Sequence, residues 1–318
     1  MEFQILFLLA FALIISTWTS IYGKESPAEI YWKTNVGNDI TMPKVFKDAL
    51  LGSQGNKKDN NAVKTRQNFD KNVARVYAQQ LVREGSGDKI RYNAVQAYAQ
   101  LPTDNSVIFF FEKDLVHPGS RMKLHFLMGA QEAKFMPTQL ANSITFSSTK
   151  LPQILKFFDV NPKSENAKII EETITMCESK PIKGESKSCE TSLESMVNYV
   201  KSRLGKQVKA LSTEINEETK QDYTIESAQK INNEKNLVCH KMVYPYAVFY
   251  CHTLSKTDAY QVSLIDTHGK KIRAVAVCHK DTSPWSEGHI AFQLLKVKPG
   301  GAPICHFLDV DTVIWAPK

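Results

Sequence analysis

No asparagine of the 318-residue chain stands in an Asn-x-Ser/Thr sequon, so N-glycosylation is not expected. No apolar run after residue 23 approaches the length that crosses a bilayer, so no membrane partner is expected of the mature chain. No Cys-x2-Cys knuckle occurs, and with it goes the usual structural zinc site. No tryptophan falls between residues 52 and 106; the four are Trp18, Trp32, Trp285 and Trp315. Nor does one sign of charge dominate. The net charge of +7 is spread over interleaved Lys, Arg, Asp and Glu, except around Lys201–Lys209. That pattern is a solvated surface: nucleic acid is not an expected partner, and weak attraction to an acidic cell-wall polysaccharide is.

What is present begins with the apolar stretch from Phe3 to Ile15, FQILFLLAFALII. It is too short to span a bilayer and sits where a signal-peptide core sits. Residues 1–23 read as a signal peptide, with Ile21 and Gly23 before the cleavage point, although Glu2 replaces the usual basic start. The secretory pathway follows, ending outside the cell, in the wall or in a vacuole. Residues 24–51 form a short segment ending in an amphipathic stretch, and residues 52–106 a polar variable region. Inside that region NVARVYAQ (72–79) and NAVQAYAQ (93–100) form a degenerate repeat. Paired amphipathic helices are one reading of it.

From residue 107 to 318 the texture is that of an α+β domain, mainly antiparallel β with a few helices and stapled by disulfides. VIFFFE (107–112) reads as a buried strand, and MKLHFL (122–127) alternates apolar and polar positions. Helices are expected over 149–158, with Pro152 in the first turn, and from Thr191, with Glu194 completing a capping box, to Gly205. After Asn236 the chain reads almost wholly as strands, with His268-Gly269 as a tight turn.

Six cysteines, Cys177, Cys189, Cys239, Cys251, Cys278 and Cys305, read as disulfides in an exported chain. Cys177 and Cys189 bracket a polar loop and would close a local bridge. The other four each precede a histidine, in the spacing CH-x10-CH-x25-CH-x25-CH. Neighbours on a strand point to opposite faces, so each pair sends sulfur one way and imidazole the other. A hairpin folded about Pro245 would set Cys239 opposite Cys251 and make His240 and His252 diagonal neighbours on the other face. The same reasoning at 278/279 and 305/306 staples one side and gathers histidines on the other. Six cysteines pair off evenly, which leaves no activated thiol for a Cys/His protease. Imidazole ligation with open positions suits copper or zinc, and of these only copper changes oxidation state. The residues alone leave a histidine metal site and purely structural histidines both open. His117 and His125 read as surface residues, and His268 as a turn residue.

This spacing is joined by YWK (31–33) with MP (42–43), FFFEKDL (109–115) with Gly119 and Met122, and the end VCHKDTSPW…HIAFQLLKVKPGGAPICHFL. Together these motifs resemble the plant BURP-domain family from about residue 107 onward. The resemblance implies an exported protein in which His240, His252, His279 and His306 hold copper. His289, within the HIAF segment, is a further ligand candidate. It also implies one of two functions. Some members are copper-dependent autocatalytic peptide cyclases that use dioxygen to join a Tyr oxygen or a Trp atom to another residue of a core peptide in the same chain. Others are seed, stress-responsive or cell-wall proteins with no assigned chemistry. With no tryptophan in 52–106, indole crosslinking there is excluded, and Tyr77 and Tyr98 in the two repeats become the candidate crosslinked residues.

Overall fold

The computed structural model describes residues 25–50, 107–126, 133–136, 138–181, 185–232, 235–254 and 256–318. The expected signal peptide and the repeat bearing Tyr77 and Tyr98 lie outside the described residues. The chain divides into two compact units, residues 1–40 and 41–318.

In the first unit, helix α1 (Pro27–Asn35) is started by a capping box between Ser26 and Glu29, with Pro27 at the first helical position. The Trp32 indole donates to the Ile40 carbonyl at 2.8 Å and closes the loop that follows.

The second unit opens with α2 (Lys44–Leu50). Its Phe46 ring is fully buried and packs against Phe249 and Trp315, with centroids 5.3 and 5.9 Å away. Backbone bonding from Phe135 to Ala49 fastens the helix end. The stretch 41–50 therefore belongs to the same compact unit as the C-terminal domain.

Two antiparallel sheets build that domain. One carries β1 (Phe110–Phe111), β2 (Arg121–Phe126), β5 (Thr219–Asn232), β8 (Thr257–Asp266), β9 (Lys271–His279) and β10 (Ile304–Phe307), in the order β1-β10-β9-β8-β5-β2. The other holds β3 (Lys187–Glu190), β4 (Val208–Ser212), β6 (Asn236–Lys241), β7 (Phe249–Leu254) and β11 (Thr312–Pro317), in the order β3-β7-β6-β11-β4. The six-stranded sheet curls until its edges meet: Val107 N–H donates to the Lys123 carbonyl, and Phe126 packs on Phe307. Val238 and Ile314 from one sheet pack on Ala259, Val275, Val277 and Leu308 from the other, giving a β-sandwich core.

The other α-helices among the described residues of the unit are α3 (Glu112–Val116), α4 (Thr138–Ser143), α5 (Leu151–Phe157), α6 (Glu165–Glu178), α7 (Leu193–Leu204) and α8 (Ile290–Leu295). The expected α+β class with mainly antiparallel strands and disulfide staples holds. Several local expectations are corrected. The VIFFFE strand shortens to two residues, because Asp114 accepts from the Phe111 N–H and starts a helix at Glu112. Helix α7 is capped by Ser192, reciprocally with Ser195, one residue later than expected. His125 is largely covered and contacts Glu218 at 2.7 Å, so it is not a surface residue. His268 sits in an exposed turn organised by Asp266 and Gly269, as expected.

Phe46→Ala should cost about 3–5 kcal/mol, the range for removing a fully buried aromatic ring. Urea unfolding monitored by far-UV circular dichroism would measure it, and an unchanged midpoint would show that α2 is not part of the domain core.

Candidate paired-histidine centre

Strands β6 and β7 pair with Cys239 directly opposite Cys251, and β9 and β10 pair with Cys278 directly opposite Cys305. Both pairs are disulfides with Cα atoms 4.0 Å apart, and Cys177–Cys189 is the third bridge. On the opposite face of each ladder the histidines fall on a diagonal. His240 faces Tyr250 while His252 faces Val238; His279 faces Ile304 while His306 faces Val277. The same supersecondary unit is thus built twice, once in each sheet.

Strand alternation also fixes which way the histidines look. His240 is two residues beyond Val238, His279 two beyond Val277, and His306 two before Leu308, all residues of the core between the sheets. All four imidazoles therefore continue the inner faces of the sandwich. His240, His252 and His306 are buried.

The imidazoles meet tip to tip. Nε2 of His240 lies 3.3 Å from Nε2 of His252, and Nε2 of His279 lies 3.5 Å from Nε2 of His306. The other ring nitrogen of each is engaged. His252 Nδ1–H donates to Glu185 Oε1 at 2.7 Å, and His306 Nδ1–H donates to the Phe307 carbonyl at 3.1 Å. These partners only accept, so both rings keep a lone pair at Nε2. His240 Nδ1 and His279 Nδ1 instead face hydroxyls, Thr312 Oγ1 and Thr257 Oγ1, each at 3.2 Å. A hydroxyl donates or accepts, so these two rings can take either tautomer. In each pair one histidine is fixed and one is adjustable. Without a metal, the adjustable ring's Nε2–H bonds to the fixed ring's Nε2.

The donor set fits a late first-row metal. Two nitrogens bound to one ion at about 2.0–2.1 Å stand roughly 3–3.5 Å apart, which matches both pairs. A hydrogen-bond acceptor behind the ligating imidazole is the usual supporting contact. Burial pushes the His279 pKa down to about 3, with His252 and His289 adding to the shift, so its ring stays neutral and able to ligate. Among the described residues, no group of three or more His, Cys, Asp or Glu side chains is placed to hold one ion. The donors come as two pairs.

His289 has a different job. It is the N-cap of α8, where its Nδ1 accepts from the Ala291 N–H at 3.2 Å. In the neutral ring the proton then sits on Nε2, which leaves that nitrogen a donor. Its ring lies 4.4 Å from Trp285, and Trp285 lies 4.9 Å from His279; Phe109 stands edge-on to both His289 and His306. An aromatic wall backs the second pair, and His289 belongs to that wall. Sequence reasoning missed Glu185, Thr257 and Thr312 as supports. The threonines carry a faint signal, each two residues from an inward apolar residue, Ala259 or Ile314. Glu185 carries none, lying in a polar loop.

Fold and site together define an α+β protein, disulfide-stapled, with twinned histidine pairs. The BURP domain family model matches residues 108–317. BURP domain-containing protein 3 of Oryza sativa subsp. japonica is 44% identical over 232 residues, which are 70% of this chain and 54% of that protein. BURP domain protein RD22 of Arabidopsis thaliana is 44% identical over 234 residues, 70% of this chain and 59% of the relative. BURP domain-containing protein 5 of Oryza sativa subsp. japonica is 40% identical over 248 residues, covering 75% and 76%. The chain belongs to the BURP-domain family, and it spans only a little over half the length of the first two relatives. Among the described residues no helix is long and apolar enough to cross a membrane.

His289→Ala should lower stability by about 1 kcal/mol through loss of the helix cap, and His289→Asn should restore most of it. Thermal unfolding of the metal-free protein would report both; equal losses in the two variants would argue against a capping role.

Proposed function

We propose that the protein is a copper-binding oxidative peptide cyclase that acts on the 52–106 region of its own chain. The observation that carries the reading is the pairwise convergence of Nε2 atoms at 3.3 and 3.5 Å, each pair supported from behind at Nδ1. His240 with His252, and His279 with His306, are the rings that would hold copper, which when bound supplies oxidation by dioxygen. The residues do the rest. Glu185 and the Phe307 carbonyl keep one lone pair of each pair directed inward. Thr312 and Thr257 would accept a hydrogen bond from Nδ1–H of the adjustable ring, whose Nε2 would then be free to bind the metal. The apolar core beside the pairs excludes bulk water.

Placement of the substrate in cis has its own support. Strand β1 directly follows the 52–106 region and pairs with β10, the strand of Cys305 and His306. Phe109, just before that strand, touches His306. Tyr98 stands eleven residues upstream of Phe109, a tether that reaches at most about 40 Å. Closure at Tyr98 or Tyr77 would form a phenol C–O bond and break one O–H and one C–H bond. The two protons and two electrons released pass to dioxygen, giving hydrogen peroxide.

Copper titration of the metal-free protein should show two equivalents. His240→Ala or His252→Ala should remove one, and His279→Ala or His306→Ala the other. Copper loading in air, followed by proteolysis and mass spectrometry, should show the loss of two hydrogens per crosslink in peptides containing Tyr77 or Tyr98. Bound copper with unchanged masses would sink the cyclase for this chain. It would favour a non-enzymatic wall or vacuolar protein, for which the net charge of +7 predicts salt-sensitive binding to pectin-like polyanions.

A further inference from the structure

We infer that Glu185 is a positioning residue for the first histidine pair, held in place by the Cys177–Cys189 bridge; the inference rests on the metal-binding reading above. Glu185 is a side-chain carboxylate among the groups that engage the four Nδ1 atoms; the others named are two threonine hydroxyls and a backbone carbonyl. Its side chain is only 11% exposed. A carboxylate so covered requires a partner, and the His252 Nδ1–H supplies one. In return the acceptor-only carboxylate fixes the tautomer with the His252 lone pair aimed at His240.

The backbone that carries Glu185 is held at three points. Ser186 and Thr253 exchange backbone and hydroxyl hydrogen bonds beside His252, at 2.8 Å for Thr253 N–H to the Ser186 carbonyl and 2.9 Å for Ser186 N–H to Thr253 Oγ1. Lys187 Nζ donates to the Met176 carbonyl at 2.7 Å and Ser179 Oγ at 2.6 Å, at the end of α6. Cys177–Cys189 joins the same helix end to β3 covalently. Strand β3 is a four-residue edge strand with one partner, β7. An edge so short has little pairing of its own to keep it in place. The bridge is also unlike the other two: Cys177 and Cys189 are partly exposed, whereas Cys239, Cys251, Cys278 and Cys305 are fully buried. A local bridge that would otherwise only shorten a loop thereby sets the direction of one imidazole.

The test compares Glu185→Ala, Glu185→Gln and the Cys177→Ser/Cys189→Ser double variant with the wild type. Copper(II) titration should show one of two equivalents weakened about 10–100-fold in Glu185→Ala, the range for loss of such a supporting contact. The other equivalent should be unchanged. Glu185→Gln should lose less, because its amide oxygen still accepts from Nδ1–H. The double variant should weaken the same equivalent while circular dichroism shows a folded protein. Nitrogen-15 NMR of the metal-free protein gives a readout that needs no copper: His252 should be the Nδ1–H tautomer in the wild type and shift towards Nε2–H in Glu185→Ala. Equal weakening of both equivalents, weakening of neither, or an unmoved His252 tautomer would overturn the inference. A wild type that binds no copper would overturn the metal reading, and the tautomer measurement would still decide the role of Glu185.

Discussion

The architecture of the site depends on a disulfide between directly opposed residues of neighbouring strands. Cysteines facing each other across an antiparallel ladder lock its register, because the bridge cannot form one residue out of step. A slip of one residue would also turn every side chain of the strand to the other face. At His279 that slip would carry the imidazole out of the sandwich interior and into the apolar cluster that contains Cys278 and Cys305. The bridges close sequence separations of 12 and 27 residues, worth about 3–4 kcal/mol each on chain-entropy grounds. Their larger contribution is to make the adjacent histidine's direction a consequence of covalent structure.

Repeating that unit in two sheets gives two pairs with one division of labour. In each, an acceptor-only partner holds one ring in a single tautomer, and a threonine hydroxyl leaves the other adjustable. A buried pair of neutral imidazoles would be costly with two lone pairs facing each other, and also with two N–H groups facing each other. One fixed and one adjustable ring avoids both costs. The metal-free pair shares a proton, and in a metal-bound pair the adjustable ring would carry that proton on Nδ1 and donate it to the threonine hydroxyl. In either state the arrangement would leave no ring nitrogen of the pair without a partner.

Much of this was legible in the Cys-His dipeptides, because strand alternation turns adjacency into opposite faces and Pro245 marks the hairpin. Other features had no such signature. Strand β5 runs 14 residues yet was not expected, since register shifts between Ile225 and Ser227 and between Lys230 and Asn232 break its two-residue alternation. Helix α6 is rich in Ile and Thr, residues that read as easily for strand. The HIAF segment is helical because the His289 side chain caps it, a role histidine seldom fills. Supports such as Glu185 and Thr312 come from distant parts of the chain. Tertiary contacts that join a loop to a strand leave no local periodicity to read.

The two pairs are alike in geometry and unlike in surroundings. Beside His240 and His252 lie the Glu185 carboxylate and the Tyr250 ring, whose centroid is 5.2 Å from that of His252. Beside His279 and His306 lie Trp285, Phe109 and the capping imidazole of His289. A buried cation is strongly stabilised by a nearby carboxylate and only weakly by an aromatic face. The first pair has an anionic neighbour where the second has aromatic rings. The fold makes the pairs twins, and the side chains packed around them make them different. Strand β1 pairs with β10, and Phe109 just before it packs on His306 of the second pair.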